Sequence, residues 1–163
     1  MEKSRTDRLN QQLTLIVNIS VVIGIIFLAV ELRQNTQAIQ AQTRDSITEK
    51  QMTYLGWLAT SPELAAVFAK VDSAGYPSLS VAETLQWRSH VGGQMREWEN
   101  SFYQYEQGLF TAEELEARRE RWRSAMSDFP SSAAYRDNWA TIRNGFAPNF
   151  RAQIDQIVAT VSN

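Results

Sequence analysis

Apolar residues are concentrated in one uninterrupted stretch near the start of the chain. Residues Leu13–Val30 read LTLIVNISVVIGIIFLAV, 18 positions without a charge or a proline. As a helix this stretch would be roughly 27 Å long, close to the thickness of a bilayer's hydrocarbon core. So long a run without an ionisable residue argues against the core helix of a soluble protein. The pattern predicts a transmembrane helix at residues 13–30, preceded by an N-terminal tail at residues 1–12.

A cleaved signal peptide is the main alternative for this segment. The basic residues Lys3, Arg5 and Arg8 suit the start of such a peptide, but the apolar run exceeds the usual length of about 7–15 residues. No small-x-small cleavage site follows it, and we therefore expect an uncleaved anchor. Three basic residues precede the span and three follow it. Charge alone therefore does not determine the orientation of the span in the membrane. The three that follow are Arg33, Arg44 and Lys50.

The helical pattern continues beyond the apolar stretch. Residues 31–58 contain no proline and a single glycine, Gly56. A thin apolar stripe runs through them at helical spacing, and it consists of Leu32, Ile39, Ile47, Tyr54 and Leu58. A continuous helix from residue 13 to residue 58 would be roughly 70 Å long. We expect residues 31–60 to form a helical stalk next to the membrane.

Capping signals divide the rest of the chain into five further helices. Ser61-Pro62, the two capping boxes Ser80–Glu83 and Thr111–Glu114, and Ser131 after Pro130 mark helix starts. Gly75, Gly108 and the Gly145–Pro148 segment mark breaks. The strongest apolar periodicity follows the first box, at Trp87, Val91, Met95, Trp98, Phe102, Tyr105 and Leu109. No alternation typical of strands occurs. The predicted fold is all-α: an N-terminal transmembrane helix that continues into a stalk, then a small bundle of about five helices at residues 61–163, packed with the stalk.

Three stretches of the sequence resemble a widespread family of uncharacterised bacterial proteins with one N-terminal membrane helix and a C-terminal helical domain. They are LAVELRQNTQAIQAQT (28–43), WENSFYQYEQGLFTAEEL (98–115) and AYRDNWATIRNGFAPNFRAQID (134–155). The resemblance implies the fold and transfers no functional residue. It also implies a bacterial inner membrane location with the helical domain in the cytoplasm, although Lys3, Arg5 and Arg8 depart from the family's weakly basic start.

Composition excludes several kinds of chemistry. The chain has 16 basic and 18 acidic residues, a net charge of −2 and no cysteine, so a nucleic-acid surface, a disulfide and a thiolate site are not expected. His90 is the only histidine, whereas a di-iron bundle needs two Glu-x-x-His motifs. We expect His90 to be a surface or packing residue. Glu97, Glu99 and Glu106 are expected to be solvated or salt-bridged carboxylates. The sequence therefore predicts no catalytic residue, no cofactor and no metal.

Polar residues in and next to the predicted membrane span are better candidates for functional residues than the histidine and the carboxylates. Ser20 and Gly24 form a small-xxx-small pair inside the span, which suits helix–helix contact, and Asn18 lies nearby. The alternative is a lone span that faces lipid. Residues 34–43 carry no charge, which suits a polar protein interface at Gln34, Gln37 and Gln40. Packing on the chain's own domain explains that segment equally well.

These observations predict a non-enzymatic, single-pass membrane protein that acts as an accessory, stabilising or assembly subunit of a larger membrane protein complex. Its partners would be the lipid bilayer and other membrane protein subunits, with no nucleic acid and no metal. The alternative is a membrane-anchored sensor or a domain that binds a small apolar ligand. In that case the aromatic stripes would line a cavity, although core packing also accounts for them.

Overall fold

A computed structural model describes residues 4–161, and the described part of the chain is helical without any strand. Residues 1–3 and 162–163 lie outside it. Lys3, the start of the predicted tail and the end of the predicted bundle segment therefore lie outside the described residues. The helices are α1 (Arg5–Thr60), α2 (Pro62–Ala74), α3 (Val81–Glu106), α4 (Ala112–Ser127), α5 (Ser132–Ile142) and α6 (Pro148–Val161). The prediction of an all-α chain with a long apolar N-terminal helix is confirmed.

The chain divides into two compact units, with the boundary between Gln42 and Thr43. The first unit is the leading part of α1. It is long and apolar enough to cross a membrane, and every large apolar side chain from Leu9 to Leu32 is at least 49% exposed. A helix in the core of a soluble protein would bury such side chains. The helix already begins at Arg5, within the residues assigned to an N-terminal tail.

Helix α1 continues without interruption to Thr60, as the lack of proline predicts. The apolar stripe predicted along it is only partly buried. Leu32 and Ile39 are exposed, whereas Ile47 is fully buried, and Tyr54 and Leu58 are half-buried. Burial of α1 in the second unit therefore begins near Thr43.

Three of the predicted helix starts are formed by the expected caps. The Ser61 hydroxyl accepts a hydrogen bond from the Leu64 amide at 3.2 Å. At Ser80 and Thr111 both halves of the capping box are present. Each cap satisfies backbone donors that the first helical turn leaves without a partner.

The predicted cap at Ser131 is wrong. Its backbone is already helical, with φ −76° and ψ −4°, and its side chain makes no capping bond. An N-cap residue normally has an extended backbone, which lets its side chain turn back to the helix. Here the Ser132 hydroxyl accepts a hydrogen bond from the Phe129 amide at 3.0 Å, so it holds the turn that precedes α5.

Aromatic side chains form the core of the second unit. The predicted stripe on α3 is buried from Trp87 to Phe102. The Trp98 ring stacks on Trp122 of α4 at 5.9 Å, and Trp122 meets Phe150 of α6 edge-on at 5.7 Å. Burying rings of this size is a large part of what stabilises a small helical domain. Helix α6 is also held by polar contacts, because its Asp155 accepts hydrogen bonds from Trp139 and Arg143.

Candidate functional site

The six residues predicted to contact partners lie on the first unit's part of α1. Asn18, Ser20 and Gly24 are exposed, and nothing lies within 4 Å of the position where a Cβ at Gly24 would stand. The Ser20 hydroxyl donates to the carbonyl of Ile16 at 2.9 Å, so its polar group is satisfied within the helix. Ser20 and Gly24 share one face because they are four residues apart, whereas Asn18 lies on another face.

The charge-free segment after the span is also largely exposed. Gln34 and Gln37 are exposed, and Gln40 is half-buried and has an interaction of its own. The Thr36 hydroxyl donates to the carbonyl of Leu32 at 2.9 Å. The amides of Gln34 and Gln37 are therefore available to a partner or to lipid headgroups.

The second unit contains a cavity, which the sequence analysis raised only as the alternative to core packing of the aromatic stripes. Its volume is about 390 Å³, within the range of small-molecule sites. The last part of α1 lies on one side of it, and α2, α3, α4 and the start of α5 complete the wall. Apolar and aromatic side chains supply much of the lining, at Leu55, Leu58, Phe68, Trp98, Ala125 and Phe129.

One end of the cavity is formed by a buried carboxylate. Glu97 is only 8% exposed, and its Oε1 accepts hydrogen bonds from Ser101 at 2.9 Å and Gln51 at 3.3 Å. Arg118 pairs with the same oxygen at 3.4 Å. Burial raises the pKa of Glu97, and the bond from Ser101 and the charges of Arg118 and Lys50 offset only part of that rise. The sequence predicted a solvated or salt-bridged carboxylate, and the structure shows the salt bridge.

Tyr54 and His90 form the wall beside this carboxylate. The two rings meet edge-on at 5.5 Å, and His90 also meets Phe68 edge-on at 5.2 Å. Burial lowers the pKa of His90 and raises that of Tyr54, to which the Glu97 charge adds. His90 is therefore packed between aromatic rings, which is one of the two roles, surface or packing, that the sequence predicted.

Gly93 allows Tyr54 to come this close to α3. A Cβ at Gly93 would overlap the Tyr54 hydroxyl, and it would lie 3.1 Å from two further ring atoms. At the neighbouring Gly92, the nearest atom is Ile142 Cδ1 at 4.0 Å. Of the two adjacent glycines, Gly93 is therefore the one that permits the close approach.

A second polar cluster surrounds Tyr135. Its hydroxyl donates to Gln94 Oε1 at 2.9 Å, and burial raises its pKa to about 12, with opposing effects from Arg121 and Asp72. Ser131 lies one helical turn before Tyr135 and also lines the cavity. Arg121 and Asp72, which carry opposite charges, thus lie near the hydrogen-bonding groups of Tyr135, Gln94 and Ser131 on the cavity wall.

The remaining carboxylates on α3 have structural partners. Glu99 accepts hydrogen bonds from Arg96 at 2.8 Å and from the Ala147 amide at 2.7 Å. Glu106 accepts one from Asn149 at 2.9 Å. Within residues 4–161 no group of three or more His, Cys, Asp or Glu side chains is placed to hold a metal ion.

The cavity's polar wall does have a signal in the sequence. His90, Gln94, Glu97 and Ser101 recur at spacings of four, three and four residues, so they form a polar stripe beside the apolar stripe of α3. A polar stripe adjacent to Trp98 indicates a helix face that is buried but lined with hydrogen-bonding groups. Arg121, Ser131 and Tyr135 have no comparable signal, because they reach the cavity from other helices.

These features define the class of protein: an all-α chain with one helix long and apolar enough to span a membrane and a second, aromatic-rich unit with a cavity that is open to solvent. Comparison with known protein families, curated proteins and solved structures finds no match to this chain.

Proposed function

We propose that this chain is a non-enzymatic, single-pass protein of the bacterial inner membrane, and that it is an accessory, stabilising or assembly subunit of a larger membrane complex. The observation that carries the proposal is the exposure of the whole apolar face of residues 13–30. Such a surface is unfavourable in water and needs lipid or another protein around it. The resemblance to the bacterial family supports the same location.

The polar and small residues on this segment support contact with another membrane helix. Ser20 and Gly24 offer a face on which a second backbone can approach closely. The exposed amides at Gln34 and Gln37 would then meet a partner where the helix leaves the hydrocarbon. In this proposal residues 61–163 form a bundle of about five helices, and the end of α1 completes it.

Single-cysteine crosslinking in native membranes tests the contact, because the chain has no cysteine of its own. Gly24→Cys and Ser20→Cys should form crosslinks to a partner subunit. Val22→Cys lies on the opposite face of the helix and is the matched control. Equal crosslinking at all three positions, or none at positions 20 and 24, would contradict the helix contact.

The side of the membrane is tested with the same cysteine-free background. Val81 is 90% exposed, so Val81→Cys should react readily with a thiol reagent. We propose a cytoplasmic domain, and intact cells should therefore protect this position from a reagent that does not cross the membrane. Labelling before lysis would place the domain on the other side.

A second candidate function, binding of a small ligand, is favoured by the cavity in the second unit. A volume of about 390 Å³ and the rings of Tyr54, Phe68 and Trp98 suit an apolar molecule. The intrinsic fluorescence of Trp98 should change on binding, because its ring lines the cavity. Absence of any saturable change with apolar probes would contradict this function.

A further inference from the structure

One oxygen of the buried carboxylate on the cavity wall has no partner. Glu97 Oε1 accepts the bonds from Ser101 and Gln51 and pairs with Arg118. Within residues 4–161, Glu97 Oε2 forms no hydrogen bond and no ion pair. The side-chain atoms that are sealed in the interior without a partner belong to other residues, so Oε2 is accessible. Because Glu97 lines the cavity, this oxygen is an acceptor for a molecule bound there.

A free donor lies on the same face of α3. Gln94 is three residues before Glu97 and also lines the cavity, and residues at this spacing are neighbours on a helix surface. Its Oε1 accepts the hydrogen bond from the Tyr135 hydroxyl, whereas its Nε2 forms no hydrogen bond in the described part of the chain. The amide nitrogen can donate two hydrogen bonds. The cavity therefore presents an acceptor and a donor from adjacent positions.

The charges around the cavity leave no excess of either sign for a ligand to neutralise. Two carboxylates, Glu97 and Asp72, and one guanidinium, Arg121, lie on its wall. Asp72 and Arg121 are exposed, so water screens both charges. Arg118 pairs with Glu97, and Lys50 also acts on that carboxylate. A further cation at Oε2 would meet Arg118 and Lys50, and an anion would meet Glu97 itself. A neutral ligand avoids both repulsions.

We propose that this cavity binds a neutral aromatic alcohol of the phenol type. Its hydroxyl donates to Glu97 Oε2 and accepts from Gln94 Nε2, since a hydroxyl is a donor and an acceptor at once. A protonated amine only donates and a carboxylate only accepts, so neither uses both groups. The ring of the ligand lies among Tyr54, Phe68 and Trp98, where contacts between aromatic rings are favourable. This inference rests on the second candidate function, ligand binding by the cavity.

The test uses the full chain in lipid nanodiscs and isothermal titration calorimetry near neutral pH, with empty nanodiscs to subtract partitioning into lipid. The probes are 4-ethylphenol and its methyl ether, 4-ethylanisole, which keeps the ring but has no proton to donate. The phenol should bind at least about 10-fold more tightly than the ether, as expected for a hydrogen bond to a charged group. Equal affinities would overturn the alcohol inference and leave ligand binding standing. No saturable binding by either probe would overturn both.

A third probe tests the neutrality of the ligand. 4-Ethylbenzylamine carries a positive charge near neutral pH and should bind less tightly than 4-ethylphenol, because its ammonium group meets Arg118 and Lys50 and offers no acceptor to Gln94. Tighter binding of the amine would overturn the proposal in favour of a cationic ligand.

A pair of variants locates the hydroxyl. Glu97→Gln keeps the shape of the side chain and removes its charge, so it should reduce the preference for the phenol over the ether about threefold or more and leave the affinity for the ether unchanged. Glu106→Gln makes the same change on the same helix outside the cavity, where its remaining oxygen can still accept from Asn149, and it should bind as the unaltered protein does. An undiminished preference in Glu97→Gln, or an equal loss in Glu106→Gln, would overturn the assignment.

Discussion

At the scale of single residues, Gly93 sets the distance between Tyr54 and α3. A methyl group there would overlap the Tyr54 hydroxyl and crowd its ring. We expect Gly93→Ala to lower the free energy of unfolding of the second unit by about 1–3 kcal/mol, the usual range for overpacking. Denaturant titration followed by tryptophan fluorescence would measure the change.

Gly92→Ala is the matched control, since it lies in the same helix and its added Cβ would meet only Ile142 Cδ1, at an ordinary contact distance of 4.0 Å. It should raise the free energy of unfolding by up to about 1 kcal/mol, because alanine favours a helix interior more than glycine. The two substitutions should therefore have opposite signs. If Gly93→Ala stabilises the protein as much as Gly92→Ala does, Tyr54 is not held against this glycine.

Glu97 makes stability depend on pH in a direction unusual for a carboxylate. Burial raises its pKa above the ordinary 4.5, so the folded state holds a proton that the unfolded state has already lost. Stability therefore falls as the pH rises from 4.5 through the raised pKa. Glu97→Gln should flatten this part of the profile and keep an oxygen that accepts from Ser101. Denaturation curves measured across this pH range would show the difference.

Glu83 provides the opposite case on the same helix. The hydrogen bond from Lys70, together with bonds from Ser80, lowers its pKa to about 2. Its contribution to stability is therefore complete above pH 4.5 and is lost as the pH falls toward 2. Glu83→Gln should remove the slope of the profile in this acid range and lower stability by a constant amount above pH 4.5. If both variants change the same range, the assignment of Glu97 to a buried site is wrong.

At the scale of helices, Thr111 and Ser131 were both predicted to be N-caps, but they have different structural roles. Thr111 caps α4 with both halves of the box, whereas Ser131 caps nothing. Thr111→Ala should therefore lower the free energy of unfolding by about 1 kcal/mol, as expected for a lost N-cap. Ser131→Ala should cost clearly less. Thermal unfolding of the two variants would compare them, and equal losses would contradict the distinction.

This difference also shows what local sequence can predict. A capping box is read from four adjacent residues, and the boxes at Ser80 and Thr111 were predicted correctly because their bonds are local. The backbone at Ser131 is instead set by Pro130 and by the bond from the Phe129 amide to Ser132. The burial of Glu97 was not predicted, because the apolar stripe alone does not show how far burial extends around α3.

At the scale of the whole molecule, the position and lining of the cavity could not be predicted because five segments far apart in the sequence line it. Tyr54, Phe68, Gln94, Arg121 and Tyr135 come from five different helices. Apolar periodicity gives the inward face of each helix, but not the gaps that remain when the helices pack. The candidate membrane span at residues 13–30 was predictable because such a candidate is defined by length and composition alone.

The boundary at Gln42 and Thr43 leads to a prediction about the separated units. The buried core lies entirely within residues 43–163, and the large exposed apolar surface of α1 is concentrated before Gln42. Removal of residues 1–42 should therefore give a soluble, folded protein with a cooperative unfolding transition, whereas the full chain should stay with membranes after an alkaline wash. Ultracentrifugation and tryptophan fluorescence would test both. If the full chain is released by the wash, residues 13–30 do not reside in lipid. If the shortened chain shows no cooperative transition, the second unit depends on the membrane segment for its fold.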